Sequence, residues 1–176
     1  MNQWYVIAGG PGCGKTTTVN ALAKRGYKTV HEAARAVIEE ANAAGVTTEE
    51  LRKDEPAFQD SILQRKLKIE DTLDPNEITI FDRGLHDTEA YVIAYNIPIS
   101  TAIKSALSKN HYKKVFILDE LIVYEQNDSR IENQKMANYI HKLHIQVYQR
   151  YGMKPIMVPV MPVEDRVDFI IEHIEN

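Results

Sequence analysis

A single cysteine, Cys13, stands among the 176 residues, so no internal disulfide can form. A reducing, cytoplasmic location is the simplest expectation. No apolar run approaches the roughly 18 residues of a membrane-spanning helix, and no membrane partner is expected. The opening stretch, MNQWYVIAGG, lacks the basic leading region and long apolar core of a signal peptide. Basic charge is not in excess either. Lys and Arg number 21 against 25 Asp and Glu, and the net charge of -4 gives no general attraction to nucleic acid or anionic lipid. Internal repeats and low-complexity tracts are absent. Glycine is sparse, at eight residues, yet four of the eight (Gly9, Gly10, Gly12 and Gly14) fall within six positions.

What remains is an ordinary globular composition, 44% apolar and 26% charged. The length suits one domain over residues 1–176, and no linker-like shift in composition divides it. Short apolar runs, WYVIA, YKTVH, ITIF, KVFILDE and KPIMVPV, read as strands. Helical periodicity fills the intervals. EAARAVIEEANAAG places Ala34, Val37, Ile38 and Ala41 on one face. The long segment from Thr47 to Leu73 is polar but helical in period, with Phe58, Ile62, Ile69 and Leu73 able to share a face and Pro56 near a helix start. A helix through NQKMANYIHKLHIQVYQRYG carries Ile140, Leu143, Val147 and Tyr151 in register. The terminal VEDRVDFIIEHIE turns Val163, Val167, Ile170, Ile171 and Ile174 inward. Strands alternating with helices predict an α/β fold, a parallel sheet covered on both faces.

The glycine cluster belongs to the spacing Gly9, four residues, Gly14, Lys15, Thr16, set between a predicted strand and a predicted helix. That is a complete phosphate-binding loop in its proper context. Glycines let backbone N–H groups turn inward around phosphate oxygens, and the following helix adds its positive dipole end. Gly10, Pro11, Gly12, Cys13, Gly14, Lys15, Thr16 and Thr17 are the expected nucleotide contacts. Lys15 can reach the β- and γ-phosphates, and the Thr16 hydroxyl can ligate Mg2+. Cys13 reads as a small loop residue in preference to a redox group.

Ligands bind at the carboxyl ends of strands in an open parallel sheet. The second strand delivers His31, Glu32 and Arg35 to that rim, the third Asp82 and Arg83, the fourth Asp119 and Glu120. Phosphoryl transfer needs a carboxylate to hold Mg2+ or take the proton of the attacking hydroxyl, and arginines to neutralise transferring charge. Asp82 is favoured for the metal because Arg83 follows it, with Asp119 as competitor; Glu32 or Asp82 is the candidate base. Glu32 could instead serve only as a first-turn acid of its helix, and Arg35 as a solvated residue. The polar stretch EQNDSRIENQ reads as a lid in which Arg130 clamps the transferring phosphate. His141 and His144 are three apart on one helix, but no carboxylate or cysteine pattern completes a metal site, so they read as packing or surface groups.

Taken together, VIAGGPGCGKTT, VHEAARAVIEE, IFDRGLHDTEAY, VYEQNDSRIEN and VPVMPVEDRVDFI resemble a family of small AAA-type ATPase-like P-loop proteins. That family includes the ribosylnicotinamide kinase domain of bifunctional NAD-biosynthesis proteins. The resemblance runs from about Trp4 to Ile171. It implies a P-loop NTPase three-layer sandwich with a five-stranded parallel sheet in order 2-3-1-4-5 and a kinase-like lid. It further implies that Gly14, Lys15 and Thr16 bind ATP and Mg2+, and that Asp82 and Arg83 form the acid–arginine pair after the third strand. Arg130 would be the lid arginine, and Glu32 and Arg35 would border the acceptor pocket. A hexameric motor is not expected. ATP is the expected nucleotide, with GTP open because no base-reading motif is legible.

The expected function is transfer of the γ-phosphoryl group to a small nucleoside-like metabolite, with Lys15, Asp82, Arg83, Arg130 and Glu32 as the catalytic candidates. The rival is a nucleotide-bound switch or slow ATPase acting through a protein partner. A phosphotransferase acting on a nucleic-acid end fits the acidic balance poorly. Neither the acceptor nor the oligomeric state is legible.

Overall fold

Strand β1 (Trp4–Ala8) is buried along its whole length, and the reason is its position at the centre of the sheet. The computed structural model describes residues 2–99, 101–109, 112–120 and 134–176. Among these, β2 (Lys28–Val30), β3 (Thr79–Asp82), β4 (Lys114–Leu118) and β5 (Ile156–Val158) join β1 in one five-stranded sheet of order β2-β3-β1-β4-β5. All neighbouring pairs are parallel. The expected strand order and parallel pairing are therefore observed. The two edge strands are three residues long and partly exposed, while the inner three are buried almost throughout, as a sheet covered on both faces requires.

Successive side chains of β1 point to opposite faces. Tyr5 and Ile7 pack with Val19 and Leu22 of α1 (Lys15–Lys24) and with Val167, Ile170 and Ile174 of α8 (Val163–Glu175). Trp4, Val6 and Ala8 pack on the other face with Phe81, Tyr112 and Tyr148, the last from α7 (Gln134–Arg150). Two further layers of helix build out from the sheet. Leu63 of α4 (Glu55–Glu70) meets Val92 of α5 (His86–Ala94) and Ile103 and Leu107 of α6 (Thr101–Lys109). Phe58 and Ile62 of α4 meet Ala33, Val37 and Ile38 of α2 (Ala33–Ala43).

The polar segment from Thr47 is divided. A short α3 (Thr48–Leu51), capped reciprocally by Thr47 and Glu50, leads through a 3-10 turn to α4. The break falls at Asp54, whose carboxylate accepts the Ala57 N–H at 3.1 Å and caps α4, with Pro56 in its first turn. At the end of α1 the chain reverses through Gly26 at φ 94°, where the left-handed backbone favours glycine. The stretch expected to form a lid, with Arg130, lies outside the described residues.

Candidate active site

The loop between β1 and α1 is a cradle that side chains would fill. Gly9, Gly12 and Gly14 have φ of 132°, 84° and 87°. A Cβ on Gly9 would stand 2.8 Å from the Leu118 carbonyl, and one on Gly14 would stand 2.8 Å from Arg166 Nη1. Gly14 caps α1 without a side-chain acceptor, so the first amides of the helix remain available to an anion. Lys15 is buried and folds back over the loop, donating to Gly10 O at 2.7 Å. Two braces hold the loop from beneath. Arg166 of α8 donates from Nη1 to Thr18 Oγ1 at 3.1 Å and to Cys13 O at 3.3 Å, while His141 Nδ1 of α7 accepts the Gly10 N–H at 3.3 Å. Cys13 is buried.

Register brings β3 to the same place. Ile7 is level with Asp82, and the Arg83 N–H continues the ladder to Ile7 O at 3.0 Å. Asp82 therefore ends beside the start of α1, where its Oδ2 accepts from the Thr16 hydroxyl at 2.8 Å. Burial and the neighbouring Glu32 raise the Asp82 carboxyl above its ordinary range, against the pull of Lys15, Arg83 and Thr16. Its Oδ1 is buried with no hydrogen-bond partner among the described residues. Asp119 stands half-buried beyond β4, its backbone N–H bonded to Val158 O at 3.0 Å, and is not part of the cavity wall described next.

Glu32 immediately precedes α2 yet makes no side-chain cap. Its Oε1 accepts instead from Arg83 Nε at 2.6 Å. Burial pushes the Glu32 carboxyl up, but Arg83, Lys15 and Lys66 outweigh it and hold the group below its ordinary value. Arg83 lies over the Tyr91 ring at 5.2 Å, and its charge is secured by Glu32, Asp87 and Asp82 despite burial. The Glu32–Arg83 pair, Lys15 and Thr16 open onto a cavity of about 650 Å³ that continues past Arg35 to Phe58 and Gln59. Arg35 is exposed at its rim.

Several residues here were not legible as site residues. Lys66 of α4 is buried and reaches Gly84 O at 2.7 Å. Its signal was periodicity, because Lys66 follows Ile62 by four and shares its inward face. Gln59 and Arg166 are buried in the same way on otherwise apolar faces. Asp87, four residues after Arg83, is nearly fully buried. The two histidines of α7 divide between the two halves of the site, His141 on the loop and His144 with Nε2 3.0 Å from Asp87 Oδ1. No group of three or more His, Cys, Asp or Glu suited to a metal occurs among the described residues.

The buried His144 predicts an acid sensitivity. Burial lowers its pKa from 6.5 to about 4, more than Asp87 raises it. The folded value lies below the unfolded one, so the unfolded chain binds the extra proton between them. This contribution to stability is complete above about 6.5 and is lost as pH falls toward 4. The melting temperature is expected to fall across that window, and His144→Asn to flatten the slope. Equal slopes for the two proteins would remove His144 as the cause.

The model of a family described as AAA domain matches residues 4–166. The chain belongs to that family. No curated protein sequence matches it. Among solved structures, NadR protein in complex with NAD and AMP-PNP superposes with a TM-score of 0.74 at 15% identity, over 99% of this chain and 50% of that one. The chain thus spans half the length of the NadR protein. Deoxyadenosine kinase from M. mycoides with bound dCTP gives a TM-score of 0.68 at 16% identity, covering 98% of each chain. Thymidylate kinase from Candida albicans gives 0.67 at 17% identity, over 99% of this chain and 91% of that one. At these identities the AAA domain chain shares their fold, that of small P-loop kinases.

Proposed function

We propose that the protein is a kinase that transfers the γ-phosphoryl group of ATP to a hydroxyl of a small nucleoside-like metabolite. The carrying observation is the Glu32–Arg83 pair, which together with Lys15 lines a cavity running from the phosphate loop to Phe58 and Gln59. In this reading the loop amides and Lys15 hold the phosphates. Glu32, kept ionised by its cationic neighbours, takes the proton of the acceptor hydroxyl. The acceptor oxygen bonds to the γ-phosphorus, the bond to the β–γ bridging oxygen breaks, and ADP leaves. Arg83 stabilises the charge on the group in transit, as Arg130 would from the segment expected to form a lid.

Mg2+ suits the residues beside the loop. Thr16 Oγ1 and Asp82 supply a hydroxyl and a carboxylate, the sparse protein ligation this ion takes alongside phosphate oxygens. Asp82 Oδ1, which has no partner among the described residues, fits such a group, directly or through water. When bound, the ion would neutralise phosphate charge. Asp119, which has no hydrogen bond to the Thr16 hydroxyl, is the weaker candidate. Support for a nucleoside-like acceptor comes from the solved relatives, one a NadR protein in complex with NR and another a deoxyadenosine kinase. The cavity favours this reading over a nucleotide-bound switch, which has no use for an acceptor compartment.

The test is ADP release from Mg2+-ATP with a panel of nicotinamide riboside, common nucleosides and their monophosphates. One acceptor is expected to raise the rate many-fold and to gain one phosphoryl group by mass. If ATP binds in a Lys15-dependent way and no acceptor accelerates turnover, the switch takes the place of the kinase.

A further inference from the structure

Arg83 is one of two described non-glycine residues with positive φ, at 72°. A bulky residue stays in that conformation only where its surroundings over-determine it. Here the surroundings are three buried side chains closing on the next two residues. Asp87 Oδ2 accepts the Gly84 N–H at 2.8 Å. Lys66 Nζ donates to Gly84 O at 2.7 Å and to Thr88 Oγ1 at 3.3 Å. The Tyr112 hydroxyl accepts the Leu85 N–H at 2.7 Å and donates to Glu70 Oε1 at 2.6 Å. A Cβ on Gly84 would stand 2.7 Å from the Tyr112 ring, so the turn cannot slide that way. Asp87 is itself held from α7, where the Tyr148 hydroxyl donates to Oδ2 and His144 lies against Oδ1.

Burying a carboxylate and an ammonium group is expensive, and apolar residues of similar volume often stabilise a core as well or better. These charges are spent on one short stretch of backbone. The stretch carries the guanidinium that meets Glu32 at 2.6 Å, and Arg83 Nη1 also stands 3.9 Å from Asp87 Oδ1.

We propose that Asp87 and Lys66 are positioning residues for Arg83. By clamping Gly84 they hold the left-handed turn that delivers the Arg83 guanidinium to Glu32. The geometric part stands on its own, while its catalytic consequence rests on the kinase reading above.

The test uses the full chain labelled with 15N. The Arg83 Nε–H resonance is assigned by its loss in Arg83→Lys. In Asp87→Asn and Lys66→Met, each shown to be folded by a cooperative melt, that resonance is expected to shift and its solvent exchange to quicken by about tenfold or more. With an accepted substrate, kcat falls while KM for ATP holds. Arg83→Lys combined with Asp87→Asn is no slower than Arg83→Lys alone. An unchanged Arg83 resonance in either folded variant overturns the proposal, as do losses that simply add. Should Asp87→Asn fail to fold, Tyr148→Phe, which removes one donor from Asp87, is read by the same criteria. If the wild-type chain phosphorylates nothing, the kinase reading falls and the resonance still decides the positioning role.

Discussion

Lys15→Met is expected to lower acceptor-dependent ADP formation by about 10²–10³-fold, the loss typical of removing one preorganised donor from a transferring oxyanion. Methionine keeps most of the length and apolar contact of the side chain, so the effect isolates the ammonium group. That group sits buried in the loop, bonded to Gly10 O at 2.7 Å and 3.5 Å from Cys13 Sγ. It therefore needs only a short movement to meet a phosphate held by the loop amides. Fold stability is expected to change far less than activity, because the glycine turn and the Arg166 and His141 braces do not depend on the ammonium. Initial rates with the accepted substrate, alongside a thermal melt, make the comparison. Retention of more than a tenth of wild-type turnover by a folded variant would place the transferring site elsewhere.

Glu32→Gln should reduce kcat by about 10²–10⁴-fold, the range for loss of a general base. KM for ATP should change little, because in the proposed reaction Glu32 meets the acceptor and not the nucleotide. Glutamine keeps an oxygen to accept from Arg83 Nε, so the cavity retains its shape. The pH profile separates the two candidate bases. A base works when ionised and fails as falling pH protonates it. Glu32 is held below the ordinary glutamate value of 4.5, so its acid limb would begin only below that value. Asp82 is raised above the ordinary aspartate value of 3.8 by burial and by Glu32, so a limb set by Asp82 would begin at higher pH than an ordinary aspartate gives. Full activity of Glu32→Gln, or an acid limb above the glutamate range in the wild type, would transfer the role to Asp82.

Much of the fold was legible because its determinants are local. A strand buried on both faces must be a largely apolar run, and WYVIA and VFIL are such runs in both sequence and structure, while Ile80 and Phe81 form the apolar centre of β3. The phosphate loop was legible for the same reason, since backbone amides can surround an anion only where side chains are missing. The polar helix face was not. Polarity ordinarily means exposure, yet Gln59, Lys66 and Glu70 are all buried on α4. Lys66 is buried because α4 packs behind the Arg83 turn, where it bonds to Gly84, a partner distant in sequence that periodicity does not report.

The sequence alone determined the alternation of strand and helix, the glycine-rich loop at Gly9–Thr16, and the arrival of Glu32, Asp82, Arg83 and Asp119 at one rim of the sheet. Tertiary structure set the contacts each one makes. Pairing of Ile7 with Asp82 sets Asp82 against the Thr16 hydroxyl, whereas Asp119 extends beyond β4 toward β5. It also decided that Glu32 spends its carboxylate on Arg83 and not on its own helix, because the left-handed turn at Arg83 brings a cation within 2.6 Å. Strand register and a clamped turn are relations between distant segments. They follow from packing energies summed over the whole chain, which no short stretch of residues contains.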